Sequence, residues 1–212
     1  MTAPALTYSD LVSLRPCSAR FDVVKEKLGG VRKWSGNKIT AQQARDAGIS
    51  FVDIVWAASA AALNDKEVER RLRLWGANCA ARVLHIYEEQ GSSLAPRKAI
   101  VAARRFAMGE ISNIARARAS EAAWNSVYSG KGHASMDAAR AASWAASKRC
   151  EEEVAWAAAR AAAISVTSVD VKRRAVWDAE REWQFDQLVM WLSDNEPEDW
   201  PLPEVKEEKA RQ

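Results

Sequence analysis

Three tryptophans in the helical second half of this chain stand four residues ahead of a basic side chain: Trp144 with Lys148, Trp156 with Arg160, and Trp177 with Arg181. That spacing sets a cation beside an aromatic ring on one helix face. Rings and guanidinium forks together stack nucleobases and grip phosphate, so the pairs offer a nucleotide-type pocket. The same spacing also serves packing, with the ring in the core and the basic stem lying over it. A second set, Arg97, Lys98, Arg104, Arg105, Arg116 and Arg118, falls on two consecutive helical stretches. Facing one another, these would form a positive groove for an acidic protein, nucleotide phosphates or nucleic acid. Glu110 and Glu121 lie close enough to offset them. A site built from both sets comprises Arg97, Arg104, Arg105, Arg116, Arg118, Trp124, Trp144, Trp156 and Arg160.

Other reactive groups are sparse. Cys79, Arg82 and His85 fall within two turns, yet a Cys and a His six residues apart do not share a helix face. Cys79 also belongs to an apolar seam, which makes it a structural thiol and not a nucleophile. The two histidines, His85 and His133, stand far apart without a ligand pattern around them, so neither a metal nor a cofactor is expected. Glu151, Glu152 and Glu153 read as a solvated patch. The run Ser129 to Gly132 has neither the length nor the preceding strand of a phosphate loop, and reads as a turn between helices. No residue is assigned a catalytic role.

The elements that would carry these groups are helical. The chain of 212 residues holds 9 Gly and 6 Pro, with Pro197, Pro201 and Pro203 crowded near its end, so its body has few obligate breaks. Its 31 basic and 28 acidic residues leave a net charge of +3, too near balance for a protein that coats a duplex. Nucleic acid is therefore not the expected partner. Cys17, Cys79 and Cys150 are odd in number and widely spaced, which points to a reducing cytoplasm and not to a disulfide framework. The opening MTAPALTYSD has no basic segment followed by an apolar core, and no run approaches the roughly 18 apolar residues of a membrane span.

Helix starts are written locally. Thr7 with Asp10, Thr40 with Gln43, and Ser50 with Asp53 have capping-box spacing, and Asn64 with Glu67 and Ser112 mark two further starts. Residues 18–28 suggest a helix stopped by Gly29 and Gly30, and residues 31–38 a loop held by Trp34. The helix after Ser50 carries Phe51, Ile54, Val55 and Trp56 around much of its girth, which predicts extensive burial. Val68, Leu72, Trp75, Cys79, Val83 and Ile86 recur at steps of three and four and form one core seam, with Arg70, Arg71, Arg73, Glu88 and Glu89 on solvated positions. Ile114, Ala117, Glu121, Trp124 and Tyr128 align as a stripe on the helix after Ser112. Residues 135–165 read as one long Ala-rich helix, and residues 168–193 as the last, opened by Thr167 and Asp170. The pattern predicts an all-α, single-domain bundle of roughly seven to nine helices over residues 1–193, its Ala-rich helices packed closely, with an acidic Pro-rich tail over residues 194–212.

The succession RLWGANCAARVLHIYEE, PRKAIVAARRFAMGEI, Ala-rich helices with interspersed Trp, and EREWQFDQLVMWL resembles the Imm5-like immunity proteins of bacteria and tailed phages. The likeness runs from Leu11 to Leu192. Its more specific elements are Trp75, Asn78, Cys79, Arg82 and Val83, then Pro96, Arg97, Ala99, Ile100, Ala103, Arg104, Gly109 and Glu110. It implies an all-helical protein without catalysis, acting in the cytoplasm, the host's if a phage encodes it. The expected function is neutralisation of a toxin or defence effector by direct protein binding, with Trp183, Trp191 and Trp200 as interface anchors. The alternative is sequestration of a nucleotide signal in a Trp and Arg pocket, and a nucleic-acid-processing enzyme comes third. Ala-faced helices also pair readily between subunits, so a homodimer is a further expectation.

Overall fold

The computed structural model describes residues 3–14, 16, 18–34, 37–90, 93–129, 132–147, 151–166, 170–194, 197 and 201–202. Eleven α-helices occupy most of these residues, joined by one pair of two-residue strands. The number exceeds the expected seven to nine for two reasons. The N-terminal quarter breaks into short pieces, and the Ala-rich stretch is two helices.

The first 48 residues form an arm that folds against the rest. Strand β1 (Ala5–Leu6) pairs antiparallel with β2 (Ile39–Thr40), Ala5 opposite Thr40 and Leu6 opposite Ile39. Between them run α1 (Tyr8–Ser13), α2 (Ser18–Lys27) and α3 (Gly30–Trp34), and α4 (Ala41–Asp46) follows. Thr7 and Thr40 close the capping boxes that the sequence announces. The segment expected as a loop around Trp34 is instead the short helix α3, opened by two glycines at φ +82°. Trp34 is its buried residue, set edge-on to Tyr8 at 5.4 Å. Arg45 ties the arm to the far end of the chain through Glu182 and Asp186.

The bundle is built around α6 (Lys66–Glu88), whose seam Val68, Leu72, Trp75, Cys79, Val83 and Ile86 is buried throughout. Its cap is Asp65, one residue past the expected Asn64, accepting from the Glu67 and Val68 amides. Helix α5 (Phe51–Ala61), capped by Ser50, buries Ile54 and Val55 but leaves Trp56 partly in solvent. Helix α7 (Ala95–Ala107) turns at Gly109, φ +75°, into α8 (Asn113–Asn125), which starts at the expected Ser112 cap and packs back against it. A 3₁₀ turn at Val127–Ser129 leads to α9 (His133–Ala145).

Helices α9 and α10 (Glu151–Val166) replace the single helix expected over residues 135–165. The chain turns back after Ala146, so α9 and α10 pack side by side, and Ala138, Ala141, Ala142 and Ala145 of the one and Ala155, Ala157, Ala158 and Ala161 of the other have almost no solvent exposure. Methyl groups on both sides let the two backbones and α6 approach closely. The reciprocal pair between Ser120 and Ser143, each hydroxyl donating to the other's carbonyl at 2.9 Å, draws α8 onto α9 in the same way. Helix α11 (Asp170–Trp191) closes the bundle against α10 and α6. Among the described residues no helix is long and apolar enough to cross a membrane. Cys17, Lys148, Cys150, Thr167, Trp200 and most of the expected tail lie outside the described residues.

Candidate binding surface

Among the described residues the expected basic set does not make an anion groove. Arg73 and Arg116, both buried, donate to the main-chain carbonyls of Ser147 and Ala146, the open C-terminal end of α9. Their guanidinium groups also lie over the Phe106 ring, each 5.1 Å from its centre. Arg71, 1% exposed, does the same service for α11, donating to the carbonyls of Trp191 and Ser193 while holding Glu67 at 2.6 Å. A helix C-terminus gathers unpaired carbonyls and partial negative charge, so a buried cation satisfies both at once. Arg71 and Arg73 thus depart from the solvated positions expected of them.

Most of the remaining cations of the expected pocket are paired within the chain, Arg105 at the surface. Arg97 forms a two-pronged pair with Glu88 at 2.7 and 2.8 Å, Arg104 donates to Asn78, and Arg105 meets Glu110 at 3.1 Å. Arg160 lies over Trp156 as its spacing predicts, and its other contact is Asp137 at 3.0 Å. Arg181 leaves Trp177 and sits over Phe51 at 4.2 Å, where burial lowers its pKa. Arg118 is exposed on α8. The nine residues therefore do not converge on one pocket.

Cys79 is fully buried, and burial first, then the nearby Glu180, pushes its thiol well above the ordinary range. Glu180 is itself raised by burial while Arg82 holds it at 2.8 Å. Among the described residues no group of three or more His, Cys, Asp or Glu side chains could hold a metal ion.

The tryptophans divide by position. Trp191 is 2% exposed, a core residue, which corrects its expected place as an interface anchor: the last turn of α11 must dock near the start of α6 for Arg71 to reach it. Trp183 is half-buried under the Arg82 guanidinium, 4.3 Å away. Trp156 is partly exposed and meets Trp177 edge-on. Trp124 is 43% exposed and leans on Trp144 of α9, the ring centres 6.2 Å apart.

Helix α8 and the 3₁₀ turn after it present an aromatic stripe outward. Ile114 at 64%, Trp124 at 43% and Tyr128 at 73% are exposed, with Ala117 and Glu121 between them also in solvent. Its core-facing side is formed instead by Arg116 and Ala123. The adjoining helix α7 adds a second outward row, Leu94, Val101 and Met108, spaced by seven residues. Apart from the contact of Trp124 with Trp144, both rows are turned to solvent. The spacing of Ile114 to Tyr128 was visible in the sequence, but only the burial of Arg116 shows which way the stripe turns.

A separate cavity of about 480 Å³ lies between the arm and α5, remote from the stripe and lined mainly by apolar side chains. Comparison with protein-family models, with curated proteins and with solved structures finds no match to this chain.

Proposed function

We propose that this chain is a non-catalytic immunity or counter-defence protein that neutralises a toxin or defence effector by binding it. The observation that supports this most is the outward row of Ile114 and Trp124 on α8 and Tyr128 on the 3₁₀ turn after it, together with Val101 on α7 and Leu94 and Met108 at the two ends of that helix. A helix in a folded bundle normally turns its large apolar side chains inward, and an aromatic row turned outward marks a surface that another macromolecule covers. Trp and Tyr dominate the energetics of such contacts because they bury much area at small entropic cost. Trp144 behind Trp124 holds that ring in place before any partner arrives, which favours binding. The likeness to Imm5-like immunity proteins supplies the biological setting.

A nucleotide-sequestering pocket draws less support, because Arg97, Arg104, Arg105, Arg116 and Arg160 already have internal acceptors. The test is affinity capture with the full chain from its native host, followed by mass spectrometry. A protein retained in stoichiometric amount agrees with the proposal, and recovery of none contradicts it. Sedimentation velocity of the purified chain shows whether a second copy covers the stripe instead.

A further inference from the structure

We propose that the cavity between the N-terminal arm and α5 is a binding site for an uncharged, largely apolar small molecule that offers one acceptor oxygen to the indole N–H of Trp34. It shares no residue with the α7 and α8 surface, so either assignment can fail without the other.

Its volume of about 480 Å³ falls within the range of pockets that enclose drug-sized ligands, roughly 300–1,000 Å³. Leu11, Phe21 and Val24 of the arm face Ile54, Trp56 and Ala58 of α5 across it. It is about half open to solvent, so its apolar wall lies against water, and an apolar occupant would bury that wall.

Trp34 supplies the polar contact. It lines the cavity, is 2% exposed, and its Nε1 has no hydrogen-bond partner. A buried donor left unpaired costs free energy that an acceptor on the occupant would recover. The carboxylates of the lining are already engaged. Asp10 accepts from the amide and hydroxyl of Thr7 at 2.8 and 2.7 Å, Asp65 from the α6 amides, and Asp53 holds Arg20 at 2.8 Å. Among the described lining residues, three carboxylates and one paired guanidinium leave a negative balance. That balance disfavours fatty acids, nucleotides and other anions.

The probe is Prodan, an uncharged naphthalene ketone whose emission moves blue in apolar surroundings and red when its carbonyl accepts a hydrogen bond. Full-length protein is expected to bind it one to one, at least ten-fold more tightly than the anionic naphthalene sulfonate ANS. Ala57→Phe and Ala61→Phe, which fill the cavity from α5, are expected to abolish binding while melting no lower than the parent chain. Trp34→Phe is expected to weaken binding about five-fold, the worth of one neutral hydrogen bond, and to shift the bound emission further blue. The proposal is overturned if Prodan does not bind, if either folded Ala variant binds it as the parent does, if ANS binds as tightly, or if Trp34→Phe leaves both affinity and emission unchanged.

Discussion

Trp124 of α8 rests against Trp144 of α9 with ring centres 6.2 Å apart and planes inclined by 35°. The inner ring is half-buried and the outer one faces solvent, so the pair is at once a packing contact and a mount. Aromatic pairs of this kind contribute about 0.5–1.5 kcal/mol beyond their buried area. The outer ring is held more firmly than an isolated surface tryptophan, and that is the property an interface residue needs.

Arg71 joins the start of α6 to the end of α11, holding Glu67 in the first turn of the one and the last carbonyls of the other. Arg71→Ala leaves those carbonyls without a donor and is expected to cost about 3–5 kcal/mol in urea unfolding. Arg71→Lys is expected to recover little of it, because an ammonium lacks the planar fork that spans three acceptors.

How far such features could be read beforehand depends on where their partners lie. The caps at Thr7, Thr40, Ser50 and Ser112 were legible because a hydroxyl and the amide it accepts from are three residues apart. The α6 seam was legible because its period is regular. The roles of Arg71, Arg73 and Arg116 were not, since their acceptors stand 120, 74 and 30 residues away at the ends of other helices. The break after Ala146 carries no Gly or Pro to announce it. Alanine on every side of α8 removed the contrast between inner and outer faces, so the stripe could be spaced but not oriented. The cavity exists only between two segments, and neither sequence alone describes it.

Glu67 shapes the acid limit of stability. Arg70 first, and Arg71 with it, hold its carboxyl at about 2, below the ordinary 4.5. A carboxylate lowered in the folded state stabilises it fully above 4.5, and loses that contribution as pH falls from 4.5 through about 2. Because Glu67 is a third exposed, solvent screening limits the effect to about 1 kcal/mol. Thermal melts between pH 6 and 2 are expected to show a shallower acid decline for Glu67→Gln than for the parent, and parallel curves would contradict this.

Gly76 sits inside α6 facing Val154 of α10. A Cβ built there would meet that side chain no closer than 3.9 Å, an ordinary contact. Gly76→Ala is therefore expected to stabilise the protein by about 0.5–1 kcal/mol through helix propensity, and a lowered melting temperature would show that α6 and α10 pack more tightly than this geometry allows.

The central claim is tested most directly by comparing partner capture by the parent chain with capture by the Trp124→Ala/Tyr128→Ala double variant, from the same host extract and at equal loading. The variant is expected to melt within a few degrees of the parent, since both rings are exposed, and to lose the retained protein at least ten-fold. A variant that remains folded and captures the same protein in the same amount would contradict the assignment of the α8 stripe as the binding surface.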